Sequence, residues 1–350
     1  MSLREELLRR FPRLSRVPPG SYVVGGAVRD LVLGVEPADV DVAAPDPLVA
    51  AKTIAPRVIR LGSVEHLSAW RVVDDRVVYD FAAILDGDIG ADLARRDFTV
   101  DAMAVSLDDG TFLDPHHGQA DLRDRVLRMI DASNFDDDPL RCLKAVRMAV
   151  RFGFAIEERT MEAIRARAPR IVEVAAERVA FELSVIFSAG KFREAVRLLR
   201  ETGLEEVLFV TTSPPDHADD IPMAAAFALL VREPRIFGSR WRWSEALTRE
   251  VETLQSLASM QGDRRMALYD AGEETARRLP AMLGREVEMP DFSIRALLTG
   301  EEIGAITGQP AGPAIGAIKR KLLEAQVRGE IRSREDAERM IRSPLGTPEI

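Results

Sequence analysis

Apolar residues in the first third of the chain form short runs of the kind found in β-strands, separated by polar and glycine-containing segments. Helical spacing appears in residues 1–18, which end at Pro18-Pro19-Gly20, and in residues 47–54. The predicted strands are residues 22–24, 39–41, 58–61, 70–73 and 77–81, the last two joined by a polar hairpin turn at Asp74-Asp75. This mixture predicts an α+β region at the start of the chain.

From Asp136 onward the strand pattern stops and apolar residues recur at helical spacing. Three successive aspartates followed by Pro139 indicate a helix start at Asp136, because acidic side chains and proline are favoured in a first turn. The apolar face of this helix is predicted to consist of Leu140, Leu143, Val146 and Val150. Residues 214–220 predict a linker, and the remainder of the chain is predicted to be helical.

The composition, with 46% hydrophobic and 30% charged residues in a chain of 350, is typical of a soluble globular protein. No apolar run is long enough to span a membrane, and the charged N-terminus is unlike a signal peptide, so we expect a cytoplasmic protein. A single cysteine, Cys142, excludes a disulfide framework. The net charge of −9 argues mildly against a nucleic-acid partner, but arginines crowd between Arg141 and Arg200 and allow a local basic face.

Two short features carry candidate chemistry. Gly25 and Gly26 follow the first predicted strand and precede an amphipathic helix, where bare N–H groups and the positive helix end can cradle a phosphate. Asp39 and Asp41 lie two positions apart in a strand, so both carboxylates project from one face and offer the hard oxygen ligands that Mg²⁺ takes beside phosphates. Separately, the features are typical of a turn and of a solvated loop; together they predict metal-assisted nucleotidyl transfer.

This combination, GGAVRD with DVD, resembles the DNA polymerase β nucleotidyltransferase superfamily and, in its particular form, the class II tRNA nucleotidyltransferase/poly(A) polymerase family. RRDFTVDAMA, beginning at Arg95, resembles that family's RRDFTxNAMA motif, except that Asp101 replaces the usual asparagine. DPHHG, beginning at Asp114, resembles a family turn that its turn chemistry explains without catalysis. DDPLR, beginning at Asp137, resembles EDxxR, and ERVAFEL, beginning at Glu177, resembles ERxxxEL.

The resemblance implies a role for each matching residue. Asp39 and Asp41 would bind Mg²⁺, and Asp80 would be the third catalytic carboxylate, although an edge-strand aspartate facing water explains Asp80 equally well. The nucleotide would be bound by Gly25, Gly26, Arg29, Arg96, Asp138, Arg141, Lys144 and Arg147. Asp138 and Arg141 would read the base, because a carboxylate and a guanidinium offer acceptors and donors to its edge. Lys144 stands where the family has arginine, which keeps the charge but loses the planar fork.

The implied fold is an α+β nucleotidyltransferase head like that of DNA polymerase β, followed by an all-helical neck, body and tail. The predicted domains are residues 1–134 for the head, 135–205 for the neck, 206–290 for the body and 291–350 for the tail. Residues 300–331 resemble the family's C-terminal segment and carry the basic cluster Lys319-Arg320-Lys321, a candidate tRNA-backbone contact.

The implied reaction adds nucleotides from CTP and ATP to the 3′ end of tRNA without a nucleic-acid template. Alternatives are a poly(A) polymerase and, from another class, a non-catalytic RNA-binding relative, whose mark would be loss of a metal carboxylate. The sequence also leaves open whether the product ends in CC or in CCA. Only 14 residues, 81–94, separate Asp80 from Arg95, and this resembles members that add only two cytidines because they lack a flexible loop there. Gly87 and Gly90 could still supply hinges for adding the final adenosine.

Overall fold

The structure, a computed structural model, describes residues 1–61, 69–74, 77–209 and 219–343. It divides into two compact units. The N-terminal unit comprises Met1–Ile186 and Ala195–Leu208, and the C-terminal unit comprises Phe187–Glu194 and Phe209–Ile350. Because the predicted head and neck both fall largely within the N-terminal unit, the residues of the candidate site belong to one compact body.

The N-terminal unit is built on a mixed sheet whose described strands have the order β3-β4-β5-β2-β1-β6-β7. Neighbouring strands are antiparallel except for β2 and β5, which run parallel. A separate parallel pair is formed by β8 and β9. The strands are β1 (Tyr22–Val24), β2 (Asp39–Ala44), β3 (Ile59–Leu61), β4 (Ala69–Asp74), β5 (Val77–Ala83), β6 (Ala104–Ser106), β7 (Phe112–Leu113), β8 (Val126–Leu127) and β9 (Ala155–Ile156).

Helices accompany the sheet and then replace it along the chain. They are α1 (Leu3–Arg10), α2 (Gly26–Val32), α3 (Pro47–Ile54), α4 (Ile89–Ala94), α5 (Gly118–Asp124), α6 (Asn134–Asp137), α7 (Leu140–Phe152), α8 (Glu158–Arg167), α9 (Ala176–Phe187), α10 (Phe192–Glu201) and α11 (Leu204–Leu208). Fully buried side chains such as Phe81, Phe98 and Phe135 form much of the core. This architecture confirms the predicted α+β region followed by helices.

The predicted helix over residues 1–18 is shorter than expected. It begins with a capping box, in which Ser2 and Glu5 satisfy each other's backbone N–H groups, and ends at Arg10. A 3-10 turn, Pro12–Arg16, follows. Proline lacks the N–H that would continue the helix, so the break falls at Pro12 and not at Pro18.

The predicted helix start at Asp136 is also displaced. Asp136 and Asp137 belong to the short helix α6, and the long helix α7 begins only at Leu140. Asp138 between them has extended backbone angles (φ −145°, ψ 94°), because a residue that precedes proline is disfavoured in the helical region. The aspartate row therefore marks a boundary between two helices.

The predicted hairpin is confirmed by the antiparallel register of β4 and β5, in which Arg71 pairs with Asp80 and Asp74 with Val77. Asp75, part of its predicted turn, lies outside the described residues. The strand predicted at residues 58–61 is present as β3. Of the predicted linker at residues 214–220, only Asp219 and Asp220 lie within the described residues.

Close packing requires a glycine in the turn that begins at Asp114. The Asp114 carboxylate accepts hydrogen bonds from the N–H groups of Gly118 and Gln119 at 2.6 and 2.9 Å. A Cβ atom on Gly118 would lie 2.3 Å from the carbonyl oxygen of Thr99, so a side chain cannot be accommodated. Turn geometry and close approach account for this motif without a catalytic role, as the sequence predicted.

The C-terminal unit is helical throughout its described part. Its helices are α12 (Met223–Leu230), α13 (Pro234–Arg240), α14 (Glu245–Ser259), α15 (Arg265–Ala271), α16 (Glu273–Ala276), α17 (Leu279–Leu283), α18 (Gly300–Thr307), α19 (Pro313–Val327) and α20 (Arg334–Arg342). An aromatic cluster that includes Phe187, Phe227 and Trp243 packs one part of its core, with ring centroids 4.6–5.4 Å apart. Among the described residues, no helix combines the length and apolar composition that crossing a membrane requires.

Candidate active site

Three aspartates lie on the two parallel strands of the sheet. Asp39 and Asp41 occupy alternate positions of β2 and therefore share a face. The register of β2 against β5 places Asp41 directly opposite Asp80. The structure thus brings together the three carboxylates that the sequence analysis selected from separate segments.

The carboxyl group of Asp41 is in an unusual electrostatic environment. Burial, the largest effect, and the neighbouring Asp39, Asp80 and Asp101 carboxylates together raise its pKa to about 6, against the opposing effect of Arg96. Asp39, by contrast, is exposed. Asp39 therefore faces solvent, whereas Asp41 lies partly inside the protein.

Asp80 is held by an arginine that the sequence analysis did not select. The guanidinium group of Arg71 donates two hydrogen bonds to Asp80, from Nε at 2.8 Å and from Nη2 at 2.6 Å. This bidentate contact raises the pKa of Arg71 and fixes the orientation of the Asp80 carboxylate. The contact could have been predicted from the hairpin, because Arg71 and Asp80 are paired once the register of its two strands is known.

The glycine turn lies against a nucleotide-binding candidate. Gly25 has a positive φ of 70° and caps the N-terminus of α2. A Cβ atom at Gly25 would lie 2.5 Å from Nη1 of Arg96 and 3.5 Å from Oδ2 of Asp41. Only glycine therefore allows the turn, the guanidinium and the carboxylate to approach so closely.

Arg96 itself is incompletely paired. Nη1 donates to the Asp101 carbonyl oxygen at 3.3 Å, and Nη2 lies 3.4 Å from Asp92. Its Nε atom is buried and has no hydrogen-bond partner among the described residues. A buried donor without a partner is costly, so Arg96 is a candidate for a partner that the protein itself does not supply.

Arg29 and Asp101 form a buried cluster below the glycine turn. The Arg29 side chain is 8% exposed and contacts two carboxylates, Asp30 at 2.7 Å and Asp101 at 2.5 Å. Its guanidinium also lies over the ring of Phe152, 4.7 Å from the centroid. Burial raises the pKa of Asp101, an effect that Arg29 opposes. Asp101, which replaces the usual asparagine of the family motif, therefore anchors Arg29 of the GGAVRD motif.

A cavity of about 860 Å³ lies between the RRDFT motif and the start of α7. This volume is common for pockets that bind small ligands. Arg96, Asp138, Arg141 and Lys144, which the sequence analysis selected, line it. The other lining residues were not selected, and they are Ala82, Ala83, Ile84, Leu85, Asp86, Asp92, Arg95, Asp97 and Asp137. Most of them lie within the 81–94 connection, which directly precedes the RRDFT motif. Their closeness to that motif in the sequence could have identified them.

Asp138 and Arg141, the two candidate base-reading residues, each have protein partners in addition to facing the cavity. Asp138 accepts from Arg178 at 2.8 Å, and Arg141 donates to the carbonyl oxygens of Arg95 and Asn134, both at 2.9 Å. These contacts restrict both side chains to one orientation. A restricted orientation is what discrimination between base edges requires.

Lys144 and Arg147 diverge further along α7. Lys144 lies 3.9 Å from Asp97 and lines the cavity. Arg147 donates to the buried Glu182 of α9 at 2.6 Å and does not line the cavity. The residues of this segment that the sequence analysis selected for nucleotide binding are therefore divided between the cavity and a brace to α9.

The carboxylates offer oxygen donors suited to a divalent cation. Among the described residues, no group of three or more His, Cys, Asp or Glu side chains is clustered so as to hold a metal ion by itself. Burial is the main cause of the raised pKa of Asp41, and the neighbouring carboxylates add to it, so a cation at this point would favour the charged form of Asp41. Paired hard oxygens in an open, negatively charged site fit a cation that takes its remaining ligands from water and phosphate.

Two family models match the chain. The model described as "Poly A polymerase head domain" matches residues 21–82 and 63–128. The model described as "Probable RNA and SrmB- binding site of polymerase A" matches residues 153–220. Together they cover the mixed sheet and the helices that follow α7.

Curated relatives match nearly the whole chain. A CC-adding tRNA nucleotidyltransferase from Geobacter sulfurreducens is 30% identical, over 94% of this chain and 93% of that protein. An A-adding tRNA nucleotidyltransferase from Deinococcus radiodurans is 29% identical over 95% and 97%, and a CCA-adding enzyme from Geobacillus thermodenitrificans is 28% identical over 95% of each.

Solved structures share the fold. The Bacillus stearothermophilus CCA-adding enzyme in complex with CTP is 25% identical with a TM-score of 0.72, covering 96% of each chain. The Thermotoga maritima CCA-adding enzyme in complex with tRNA is 21% identical with a TM-score of 0.73, covering 97% of this chain and 96% of that one. A sheet with paired carboxylates beside a glycine turn defines a nucleotidyltransferase head. The chain belongs to the tRNA nucleotidyltransferase/poly(A) polymerase family, whose enzymes generally use a divalent metal ion.

The Arg29 cluster generates a prediction about its anchoring role. Arg29→Ala leaves Asp30 and Asp101 without their cation in a buried setting, and we expect it to lower the free energy of unfolding by about 3–5 kcal/mol. Urea denaturation followed by circular dichroism measures this change. Arg9→Ala is the control, since Arg9 pairs with Glu6 on the exposed face of α1, and it should leave the unfolding midpoint unchanged. A stable Arg29→Ala variant that fails to bind nucleotide would instead make Arg29 a triphosphate ligand.

Proposed function

We propose that the chain adds C and A nucleotides from CTP and ATP to the 3′ end of tRNA, without a nucleic-acid template. The observation that carries this proposal is the juxtaposition of Asp41, Asp80, Gly25 and Arg96, which places carboxylates and an anion-binding arginine at one point of the sheet. Relatives named for CC, A and CCA addition, each matching more than nine-tenths of the chain, support the substrate class.

The metal ion is proposed to be Mg²⁺, held by Asp39 and Asp41. When bound, it would neutralise charge on the attacking and leaving oxygens of the phosphoryl transfer. Asp80, oriented by Arg71, is proposed to accept the proton of the tRNA 3′-hydroxyl. Gly25, Gly26 and Arg29 are proposed to position the triphosphate, the last from beneath the glycine turn.

The nucleotide is proposed to enter the 860 Å³ cavity. Arg96 contributes a buried donor without a protein partner, which suits the sugar–phosphate side. Asp138 and Arg141 present their polar atoms to the base edge, and Lys144 adds positive charge at the same wall. Arg147 acts through the brace to Glu182.

The four predicted domains (1–134, 135–205, 206–290 and 291–350) and a cytoplasmic location are part of the same proposal. Within the tail, Lys319-Arg320-Lys321 is proposed to contact the tRNA backbone. Arg320 also forms a hydrogen bond of 2.7 Å with Asp270, so this arginine is positioned by the helix α15. Lys319 and Lys321 are exposed on α19.

A product limited to two cytidines is a second candidate. Strand β5 ends at Ala83 and helix α4 begins at Ile89, so only residues 84–88 connect them. Most of that segment is a 3-10 turn, Leu85–Gly87, in which Asp86 and Gly87 both have positive φ. Such a short connection leaves little chain to reshape the pocket between CTP and ATP.

The metal pair generates the first functional prediction. Asp39→Ala or Asp41→Ala should reduce incorporation of labelled CTP and ATP into tRNA lacking its terminal CCA by at least about 10³-fold, because metal-ion stabilisation contributes several kcal/mol. Circular dichroism should show an unchanged fold. Asp124→Ala, at the exposed end of α5, is the control and should keep full activity. Substantial incorporation by either site variant would exclude the metal assignment.

The proposed selection of the base by Asp138 and Arg141 generates the second functional prediction. Asp138→Ala and Arg141→Ala should reduce discrimination between correct and incorrect nucleoside triphosphates by about 5–150-fold, since a bidentate contact contributes about 1–3 kcal/mol. Relative kcat/KM values for the four triphosphates provide the measurement. Asp136→Ala is matched, because Asp136 pairs with Arg167 and Arg170 away from the cavity. Variants that are slower but equally selective would assign Asp138 and Arg141 a structural role.

Product length generates the third. With tRNA ending at the discriminator base and both CTP and ATP supplied, gel analysis distinguishes the two candidates. Arrest after two cytidines is expected if the 84–88 connection is too short to reshape the pocket. Efficient addition of the final adenosine would exclude the CC-only candidate and leave full CCA addition.

A further inference from the structure

One aromatic side chain stands apart from the rest of the protein. Of the aromatic residues in the described part of the chain, Phe181 alone is exposed, with 65% of its surface accessible to solvent. No ring–ring contact is found for it among the described residues. Leaving a phenylalanine ring in water forfeits about 1.5–3 kcal/mol of burial free energy, so its position invites an explanation.

Phe181 lies on α9, the helix that contacts Asp138 and the candidate base-reading helix α7. One turn before it, Arg178 contacts Asp138 at 2.8 Å, and the next residue, Glu182, contacts Arg147 at 2.6 Å. Positions three apart on a helix are neighbours on its surface. Two contacts to the Asp138–α7 segment therefore flank Phe181, although the ring itself does not line the cavity proposed for the nucleotide.

The exposed surface around the ring is polar and carries charges of both signs. Arg178 keeps about half of its side chain exposed while it pairs with Asp138, and Arg141 and Lys144 stand on α7 nearby. Exposed neighbours of Phe181 on the α9 surface include Glu177 and Arg178 and no large apolar residue. A protein-docking face would show a contiguous apolar patch. An isolated ring next to an arginine on a polar surface is instead suited to stacking on a base of single-stranded nucleic acid.

We propose that Phe181 stacks on a base of the single-stranded 3′ end of the RNA acceptor and positions it beside the nucleotide cavity. The proposal rests on the proposed function, because it assumes an RNA acceptor. Phe181 also lies within residues 153–220, which match the RNA-binding family model. The acceptor is favoured over the incoming nucleotide because the ring lies outside the cavity, next to the residues that line it.

The test uses the full chain and an RNA acceptor-stem hairpin carrying 2-aminopurine at its 3′ terminus. Phe181→Ala should weaken binding of this RNA and raise its KM by about 5–150-fold, the equivalent of about 1–3 kcal/mol per stacked base. The KM values for CTP and ATP should stay unchanged. Wild-type protein should quench 2-aminopurine fluorescence, Phe181→Ala should not, and Phe181→Trp should restore both binding and quenching.

Val172→Ala is the matched control, since Val172 is exposed at 52% in the same matched region, and it should leave the RNA KM unchanged. Unfolding midpoints of all variants verify their fold. If Phe181→Ala binds the RNA and quenches its fluorescence as strongly as the wild type does, the proposal is overturned. The exposed ring would then be assigned to contact with a protein partner. An effect confined to the KM for CTP or ATP would overturn it too, in favour of the incoming base.

The two proposals fail in different ways. If the wild-type protein extends no RNA but loses RNA binding on Phe181→Ala, the tRNA-extension proposal fails and the stacking proposal stands. If the wild-type protein extends RNA and Phe181→Ala extends it with the same RNA KM, the stacking proposal fails and the function stands.

Discussion

The parallel pairing of β2 with β5 is the constraint on which the candidate site depends. Every other neighbouring pair in the seven-stranded sheet is antiparallel. Because paired residues of adjacent strands project from the same face, this register sets Asp41 beside Asp80, with Asp39 two positions away. Three carboxylates close together repel one another, and this repulsion adds to burial, the larger effect, in raising the pKa of Asp41.

Arginines offset this concentration of negative charge. Arg71 holds Asp80 with two hydrogen bonds, Arg96 opposes the rise in the pKa of Asp41, and Arg29 is buried between Asp30 and Asp101. Each guanidinium also fixes the carboxylate that it contacts, so charge balance and orientation come from the same contacts. Gly25 belongs to this arrangement, since any side chain there would displace Arg96. The glycine turn is therefore required by its protein neighbours.

The boundary at Asp138 serves the other wall of the cavity. The preference of a pre-proline residue for extended backbone ends α6 and lets α7 begin at Leu140. Asp138 is thereby released from the helix, so that it contacts Arg178 and faces the cavity. The brace between Arg147 and Glu182 holds α9 against α7, and α9 in turn presents the exposed ring of Phe181. Local backbone geometry thus connects the residues proposed to select the base with the surface proposed to bind RNA.

The sequence by itself determined the fold class and the family, because glycine turns, strand alternation and helical spacing are local and the ordered motifs are specific. It also selected Asp41 and Asp80, which the fold brings together, while their catalytic roles stay predictions. Helix boundaries at Pro12 and Asp138 required the backbone, since a single proline outweighed an otherwise helical pattern. Only the tertiary structure revealed Arg71 on Asp80, Arg29 on Asp101 and the exposed Phe181. Strand register and burial decide those contacts, and both depend on residues distant in the chain.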